Sequence, residues 1–426
     1  MKIQKLSGIL IFISFLITIF SYFYTNEIFL YAGVSAWLAF FLLFKSIANV
    51  KLLISLLILS LIAFLFSYLN DFKIDYERSI LVNQYLLTLL IGVGFLRLIA
   101  TPKQGKVKKL PKGRESFFKT YLGIHLFGSV INLSSLIIVA DKLYKKSALT
   151  NLQVIVLSRA FSSDAYWSPF FVAFAAALTY APKLSTSIIL STGLVLALIA
   201  FVITYIEVDK KYELDEFRGY PIHFETLVIP FLLSLMVLFT NYYYPELKVI
   251  LLISLYSLFL TVLILPLNVG LLKAIKKLNS HISDELPKMK NEISLFLVAG
   301  MFGISISSIL VGLNVQLPFE EFNAVEASLL LFILIILSFI GIHPIISIAI
   351  IGNWMNELNH TLLAVTFLMS WSTAVSTSPF SGLNLTMQSR YSLKAIDIFK
   401  MNIPYAIKMY LVCVFVIFIL SSYLEL

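Results

Sequence analysis

The chain has 426 residues, of which 59% are hydrophobic and only 13% are charged, and its mean hydropathy is +0.93. A typical soluble domain has about 45–50% apolar and about 25% charged residues, so this composition excludes a soluble globular protein and indicates an integral membrane protein. The net charge of +9 does not indicate nucleic-acid binding, because the basic residues lie in short segments between apolar runs.

Apolar runs of about 20 residues predict membrane-spanning helices, and the strict alternation typical of a membrane β-barrel is absent. In chain order the runs are 6–24, 28–44, 52–69, 80–100, 121–140, 184–206, 224–242, 247–270, 293–313, 325–351 and 405–424. The predicted fold class is an all-α polytopic membrane protein with about 11 transmembrane helices. We expect the first run to remain as a helix, since no cleavage site follows it. Cys413, in the last run, is the single cysteine and cannot form an intrachain disulfide.

The distribution of lysine predicts the topology. Loops 101–120 and 273–292 are strongly basic, so both are expected on the cytoplasmic side of a bacterial-type inner membrane, as is the N-terminus. The acidic loop around Glu320 is then expected outside. A smaller basic group around Lys145 would also lie outside, which opposes the rule.

Two regions, about 149–181 and 355–390, fit single spans poorly because hydroxyl residues and a proline interrupt them. The interruptions resemble each other: Ser162-Ser163-Asp164-Ala165-Tyr166-Trp167-Ser168-Pro169-Phe170 and Ser372-Thr373-Ala374-Val375-Ser376-Thr377-Ser378-Pro379-Phe380. A Gly-Ile-His triplet precedes each, at Gly123-Ile124-His125 and Gly341-Ile342-His343. We interpret the regions as re-entrant hairpins broken at Pro169 and Pro379, because irregular backbone at membrane depth must be buried in protein or line a cavity.

The duplication predicts three segments. Residues 1–79 are an addition or scaffold, 80–222 form a first repeat and 223–426 a second. In the predicted topology the two repeats are antiparallel, so their hairpin tips meet near the midplane.

Both tips offer ligands for small ions. Hydroxyls and unwound carbonyls suit a hard cation, and helix N-termini suit an anion. Hydroxyls that bond back to their own helix are the alternative, and recurrence at matched positions is what favours a site. Asn384 is added because Gly382 permits close approach. The candidate residues for substrate and ion binding are Ser162, Ser163, Asp164, Ser168, Ser372, Thr373, Ser376, Ser378 and Asn384.

Asp164 is the strongest of these candidates. A carboxylate in an apolar hairpin costs a few kcal/mol, so it must be paired, ion-bound or protonated. We predict a coupling role for sodium or a proton. Arg159 is either the ion-pair partner of Asp164 or, if separated from it, the counter-charge for an anionic solute.

The five histidines do not indicate a transition-metal site, because His125 and His343 have no cysteine or carboxylate at ligand spacing. Hydrogen bonding or helix capping is expected instead. His360 lies near the entrance of the second hairpin and is either a gating residue or without a role. His223 and His281 are expected in solvated loops.

Paired broken segments with hydroxyl tips and a following proline resemble the ion transporter superfamily, which includes divalent anion/sodium symporters, arsenite permeases and the membrane subunits of TRAP carriers. The resemblance covers about residues 80–426 and implies alternating access around the two tips. The sodium-dicarboxylate branch carries Ser-Asn-Thr in each tip. This chain has Ser162-Ser163-Asp164 and Ser372-Thr373-Ala374 there, so a dicarboxylate substrate is not implied.

The predicted function is secondary transport of a small anionic or polar solute, coupled to sodium or protons, with no enzymatic activity and no other cofactor. The expected partners are the lipid bilayer and the solute, and a homodimer is left open. The alternative is a membrane enzyme of lipid-linked glycan assembly, a polymerase or ligase, against which the short basic loops argue. A receptor-like or structural subunit would not require two matching broken segments.

Overall fold

The computed structural model describes residues 2–48, 50–100, 110–220, 228–317, 319, 321–355 and 357–426. Regular structure in these residues is helical, and eight helices are long and apolar enough to cross a membrane. The prediction of an all-α, multi-pass membrane protein is therefore confirmed. The count of 11 spans stays a prediction, since some predicted spans, such as α11 and α15, are helices of only 16 residues.

The α-helices in chain order are α1 (Lys2–Tyr24), α2 (Phe29–Leu43), α3 (Val50–Leu69), α4 (Tyr76–Leu81), α5 (Gln84–Ala100), α6 (Arg114–Ile131), α7 (Leu133–Tyr144), α8 (Asn151–Ser162), α9 (Val172–Tyr180), α10 (Thr186–Lys211), α11 (Val228–Tyr243), α12 (Val249–Val269), α13 (Leu271–Ser280), α14 (Lys290–Gly312), α15 (Ala324–Phe339), α16 (Pro344–Trp354), α17 (His360–Thr377), α18 (Gly382–Tyr391) and α19 (Ala395–Tyr423). A 3₁₀ turn, Ser163–Tyr166, extends α8.

The spanning helices bury small and hydroxyl side chains and expose large apolar ones. On α1, Ser14 and Thr18 are buried whereas Leu16 and Phe20 are exposed. The Thr18 hydroxyl donates to the Ser14 carbonyl at 2.8 Å, so burial leaves no unpaired donor. This distribution suits lipid, where large apolar groups gain nothing from burial and small residues let helices pack closely.

The helices form two compact units, each built from non-contiguous segments. One comprises Met1–Thr101, Ile229–Leu317 and Ile348–Asn356, and the other Pro102–Val228, Pro318–Ser347 and Glu357–Leu426. Each unit thus combines segments from both predicted repeats.

In the first unit, helices from residues 1–101 pack against helices from residues 229–317. Helix α5 packs along α12, and α3 packs along α14. Gly92 on α5 lies so close to α12 that a Cβ there would be 2.8 Å from the Ser254 Cα. The predicted loop 273–292 is wrong, because α13, a π turn at His281–Glu285 and a 3₁₀ turn at Leu286–Met289 lead into α14. His281 is correspondingly buried against Phe95, with ring centroids 4.6 Å apart, and is not solvated.

The second unit contains two series of helices in the same order, α6 to α10 and α15 to α19, except that α16 from Ile348 onward belongs to the first unit. In each series a helix ends at a residue with positive φ, Asn132 (+51°) or Gly341 (+105°), and a second helix follows. The predicted runs 121–140 and 325–351 are therefore each interrupted. A second pair of helices, broken at the Ser-Pro-Phe motif, comes next, and one long helix, α10 or α19, closes the series.

Candidate functional site

The breaks predicted at Pro169 and Pro379 are present, because α8 and its 3₁₀ turn end at Tyr166 and α17 ends at Thr377. The helices that follow, α9 and α18, have 9 and 10 residues. At a rise of 1.5 Å per residue they are about 15 Å long, half the hydrocarbon thickness of a bilayer.

Each Ser-Pro-Phe break is tied to the helix break that precedes it in the same series. The Ser168 hydroxyl donates to the Ser129 carbonyl, and the Phe170 N–H donates to the Ser168 Oγ at 3.3 Å. The Asn132 side chain donates to the Phe170 carbonyl at 3.3 Å, so the two breaks lie together.

The second series repeats this arrangement. The Ser378 hydroxyl donates to the Ser338 carbonyl at 2.6 Å, and the Phe380 N–H donates to the Ser378 Oγ at 3.2 Å. Gly341 lies on the Phe380 ring, where a Cβ would be 3.4 Å from the nearest ring carbon. The hydroxyl that precedes each proline thus holds one helix break against another.

The closing helices contact the tips at equivalent positions too. On α10, Gly193 lies against the Tyr166 carbonyl, which a Cβ would overlap. On α19, the Asn402 amide donates to the Ser376 carbonyl at 2.8 Å. Tyr166 and Ser376 occupy the same place in the two motifs, so at each tip a backbone carbonyl faces a closing helix.

The two tips meet. The Ser372 hydroxyl donates to the Ser162 carbonyl at 2.8 Å, across 210 positions of sequence, and both residues are buried. They are the first residues of the two motifs. When a residue contacts its own equivalent, any two-fold axis that relates the repeats must pass between them.

Four other candidate hydroxyls bond within their own helix. Ser162 donates to the Arg159 carbonyl, Ser163 to Ala160, Thr373 to Met369, and Ser376 to the Ser372 and Thr373 carbonyls. Their lone pairs remain open to a ligand, but their protons are committed locally. Among the candidate hydroxyls, Ser168, Ser372 and Ser378 donate to a different element.

Asp164 is completely buried in the 3₁₀ turn, and its Oδ2 has no hydrogen-bond partner among the described residues. The His125 Nδ1 lies 2.8 Å from its Oδ1. Its Oδ2 faces Gly128, where any Cβ would overlap it. His125 and Gly128 lie on one face of α6, so the absence of a side chain at Gly128 makes room for the carboxylate.

The nitrogens of His125 contact three further groups. Its Nδ1 lies 2.9 Å from the Ser163 Oγ and 3.3 Å from the Ala160 carbonyl, and its Nε2 accepts from the Trp167 indole N–H at 3.1 Å. The expected hydrogen-bonding role of His125 is thus observed. Its proximity to Asp164 was not predicted, because 39 residues separate them in the chain.

Arg159 is not paired with Asp164. Its guanidinium donates from Nη1 to Glu207 at 2.5 Å and from Nε to the Asn402 side chain at 2.9 Å. It also lies over the Tyr405 ring, 4.3 Å from the centroid. Glu207 accepts from Lys408 as well. Two cations therefore share one carboxylate, and we call these five residues the Arg159 cluster.

Four of the polar side chains around the tips have apolar equivalents in the second series. Where the first series has His125, Arg159, Asp164 and Glu207, the second has Leu334, Met369, Ala374 and Val416. A cavity of about 30 Å³ lies at the second pair of breaks, lined by Gly341, His343, Trp371, Ala374 and Ser378, among others. This volume holds about two water molecules.

Asn384 stabilises the second break. Its amide donates to the Ser378 carbonyl at 2.9 Å, and its backbone N–H is capped by Ser381 at 3.1 Å. Its Oδ1 is buried and has no hydrogen-bond partner in the described residues. The site thus contains a further unpaired buried oxygen in addition to the Asp164 Oδ2.

An ion pair links the ends of the two series. Arg390, at the end of α18, donates from Nε and Nη2 to the two Asp141 oxygens at 3.0 and 2.8 Å. The Tyr391 hydroxyl donates to Asp141 at 2.9 Å. The Arg390 guanidinium holds the pKa of the Asp141 carboxyl below its usual range.

The proposed equivalence of the Gly-Ile-His triplets is wrong. His125 lies inside α6, about two turns before the break at Asn132. His343 directly follows the break at Gly341, and its Nδ1 accepts from the Ile345 N–H at 3.2 Å, which caps α16. The equivalent positions are instead Asn132 and Gly341.

The remaining histidine and loop predictions have mixed outcomes. His360 begins α17, and its Nδ1 accepts from the Lys183 N–H at 2.9 Å, so it joins the two hairpin regions. His223 and Glu320 lie outside the described residues. In the described part no three His, Cys, Asp or Glu side chains are grouped as metal ligands.

No known protein-family model matches the chain, and no curated protein matches it significantly.

Proposed function

We propose that the protein is a secondary active transporter of a small anionic or polar solute, built on the plan of the ion transporter superfamily. The two Ser-Pro-Phe regions are broken helices that run in opposite directions in an inverted repeat, and solute and coupling cation bind at their breaks. Re-entrant hairpins are not proposed, because Gln153 before the first break lies beside Arg218, just beyond the end of α10, whereas Lys183 after it lies next to the start of α10. One observation carries this proposal: both series hold their broken helices together with the same hydrogen bonds, from Ser168 to Ser129 and from Ser378 to Ser338.

Such duplication suits transport because an inverted repeat can exchange two conformations of its halves and so open a central site to either side in turn. Broken helices place backbone N–H and C=O groups at membrane depth, where they bind ions without permanent side-chain charge. The Ser372 to Ser162 contact supports a central position of the tips. A continuous-span bundle would have no need of two such breaks.

The Arg159 cluster supports an anionic solute. Arg159 and Lys408 contribute two positive charges, and Glu207 contributes one negative charge. The net positive charge lies beside the tips, because Asn402 links Arg159 to the Ser376 carbonyl at the second break. A site of this charge attracts an anion, and the guanidinium retains donors that suit carboxylates and oxyanions.

Uptake into proteoliposomes tests the proposal. A panel of organic acids and oxyanions is offered under an imposed sodium gradient and, separately, an imposed proton gradient. We expect gradient-driven uptake of at least one anion, reduced in Ser378→Ala and unchanged in the control Ser191→Ala, whose exposed hydroxyl makes only a local bond on α10. Uptake of no anion under either gradient would contradict the proposal and lead to an assay of lipid-linked glycan elongation.

Cysteine labelling tests the inverted arrangement. In a Cys413→Ser background, Lys112→Cys and Lys276→Cys place single cysteines in the two basic segments, which we expect inside. Each variant is labelled in intact cells and in inverted vesicles, which expose opposite faces of the membrane. Labelling of both basic segments from outside would refute the predicted topology.

A further inference from the structure

The surroundings of Asp164 differ from those of a paired carboxylate. The side chain is fully buried, its Oδ2 has no hydrogen-bond partner among the described residues, its Oδ1 lies 2.8 Å from the His125 Nδ1, and the nearby Arg159 is bound to Glu207 instead. The Oδ2 lies against Gly128, where a Cβ would be 2.2 Å from it. An isolated carboxylate anion in such a place is costly, whereas the neutral acid is not.

The protonation of His125 follows from its neighbours. The Trp167 indole N–H is a donor only, and it points at the His125 Nε2 at 3.1 Å. The Nε2 must therefore accept, and the ring proton resides on Nδ1. A second ring proton would place two donors face to face, so Trp167 keeps the imidazole neutral.

The Nδ1–H of His125 has a choice of acceptors. It lies 2.8 Å from the Asp164 Oδ1 and 2.9 Å from the Ser163 Oγ. The Ser163 hydroxyl donates its own proton to the Ala160 carbonyl at 2.8 Å, which leaves its lone pairs free to accept. His125 can thus turn to the carboxylate when Asp164 is ionised and to Ser163 when it is neutral.

We propose that the Asp164 carboxyl is the proton-binding site of the transporter, so that the coupling ion is a proton and not sodium. His125 is a positioning residue that stabilises the ionised form, and Trp167 directs the proton to the carboxyl rather than to the ring. This inference rests on the proposed function for its role in coupling. The chemistry of the site itself does not depend on transport.

The ligands available argue against sodium at Asp164. Hard cations are held by about six oxygen atoms in proteins. Here one oxygen of the carboxyl faces a ring nitrogen and the other faces a glycine. A proton needs only the carboxyl oxygen itself.

No other charged group that is free of a partner faces the carboxyl from the packed elements. Helices α9 and α17 contain no Asp, Glu, Lys or Arg. The titratable groups on the elements packed around the 3₁₀ turn are Arg114, Glu115, Lys119, Tyr121 and His125 on α6, Arg159 on α8, Tyr180 on α9, Tyr205, Glu207, Asp209, Lys210 and Lys211 on α10, and His360 on α17.

Infrared difference spectroscopy of the purified full-length protein tests the proposal directly. As the pH is lowered, we expect the C=O stretch of a buried protonated carboxyl to appear, to be lost in Asp164→Asn, and to persist in Asp215→Asn, which removes an exposed carboxyl. Replacing choline by sodium at constant ionic strength should leave the band unchanged. A band that survives Asp164→Asn, or that sodium removes, would overturn the proposal.

Nitrogen-15 NMR of the histidine rings provides a second measurement on the folded wild type. We expect a neutral His125 with Nδ1 protonated between pH 5 and 8, and loss of this fixed tautomer in Trp167→Phe, which keeps a ring but removes the N–H. An imidazolium signal in the wild type would refute the assignment. Absence of all transport with both spectra as expected would instead refute the proposed function alone.

Discussion

Glu207 pairs with two cations, Arg159 and Lys408. When glutamine replaces Glu207, most of the lost stability should come from the broken pair with Arg159. Arg159 and Glu207 have side-chain exposures of 2% and 19%, whereas Lys408 is 50% exposed. Removing one partner of a buried ion pair costs about 3–5 kcal/mol, and an exposed pair contributes about 0–1 kcal/mol. The environment of the cation, not the number of contacts, should therefore decide the cost.

For Glu207→Gln the expected cost is lower than this general cost of breaking a buried ion pair, because Arg159 keeps other partners. In Glu207→Gln the guanidinium keeps its bonds to the Asn402 side chain at 2.9 Å and to the Met401 carbonyl at 3.4 Å, and the glutamine oxygen still accepts. We therefore expect a loss of about 2–3 kcal/mol for Glu207→Gln and less than about 1 kcal/mol for Lys408→Met.

Reversible unfolding in mixed micelles, followed by circular dichroism, measures both variants. Arg159→Met and the double variant Arg159→Met/Glu207→Gln complete a double-mutant cycle. The double variant should lose less free energy of unfolding than the sum of the Arg159→Met and Glu207→Gln losses, because the uncompensated charge is gone. A loss in Lys408→Met equal to that in Glu207→Gln would refute the reasoning, as would additive losses in the cycle.

Three further predictions concern single contacts. Ser168→Ala and Ser378→Ala should each reduce the free energy of unfolding by about 1 kcal/mol in the same assay, since each removes buried hydrogen bonds that join two helix breaks; no loss in either would contradict the role of the hydroxyls. Gly128→Ala, which normally stabilises a helix by about 1 kcal/mol, should here lower the unfolding temperature because the Cβ overlaps the buried carboxylate beside it. Because the pKa of Asp141 is lowered by Arg390, its contribution to stability is present above about pH 4 and is lost as the pH falls through the folded-state value; Asp141→Asn should remove this acid dependence, and an unchanged pH profile would exclude it.

The sequence predicts those helix breaks that have a local signal. Helix breaks followed from Pro169 and Pro379, which lack an N–H and cannot continue a helix. Prediction failed for the breaks at Asn132 and Gly341, since a single residue with positive φ in an apolar run leaves the hydropathy unchanged. The Gly-Ile-His match was misleading for a related reason: three shared letters carry no information about where a helix ends.

The candidate site, too, was predictable only where the signal was local. The duplicated motif located Asp164 and both hydroxyl tips, because a polar stretch in an apolar chain is conspicuous on its own. The partners His125 and Glu207 could not be assigned, although a histidine or a glutamate inside an apolar run is itself a signal that a partner exists.

Composition and local pattern by themselves determined that this chain is helical, enters a membrane and breaks its helices at two related motifs, because lipid burial and backbone geometry act over a few residues. Only the tertiary structure decided that Asp164 faces His125, that Arg159 pairs with Glu207, and that Ser372 contacts its own equivalent. The residues of each of these pairs are separated by 39 to 210 positions, and their energies depend on which helices pack together.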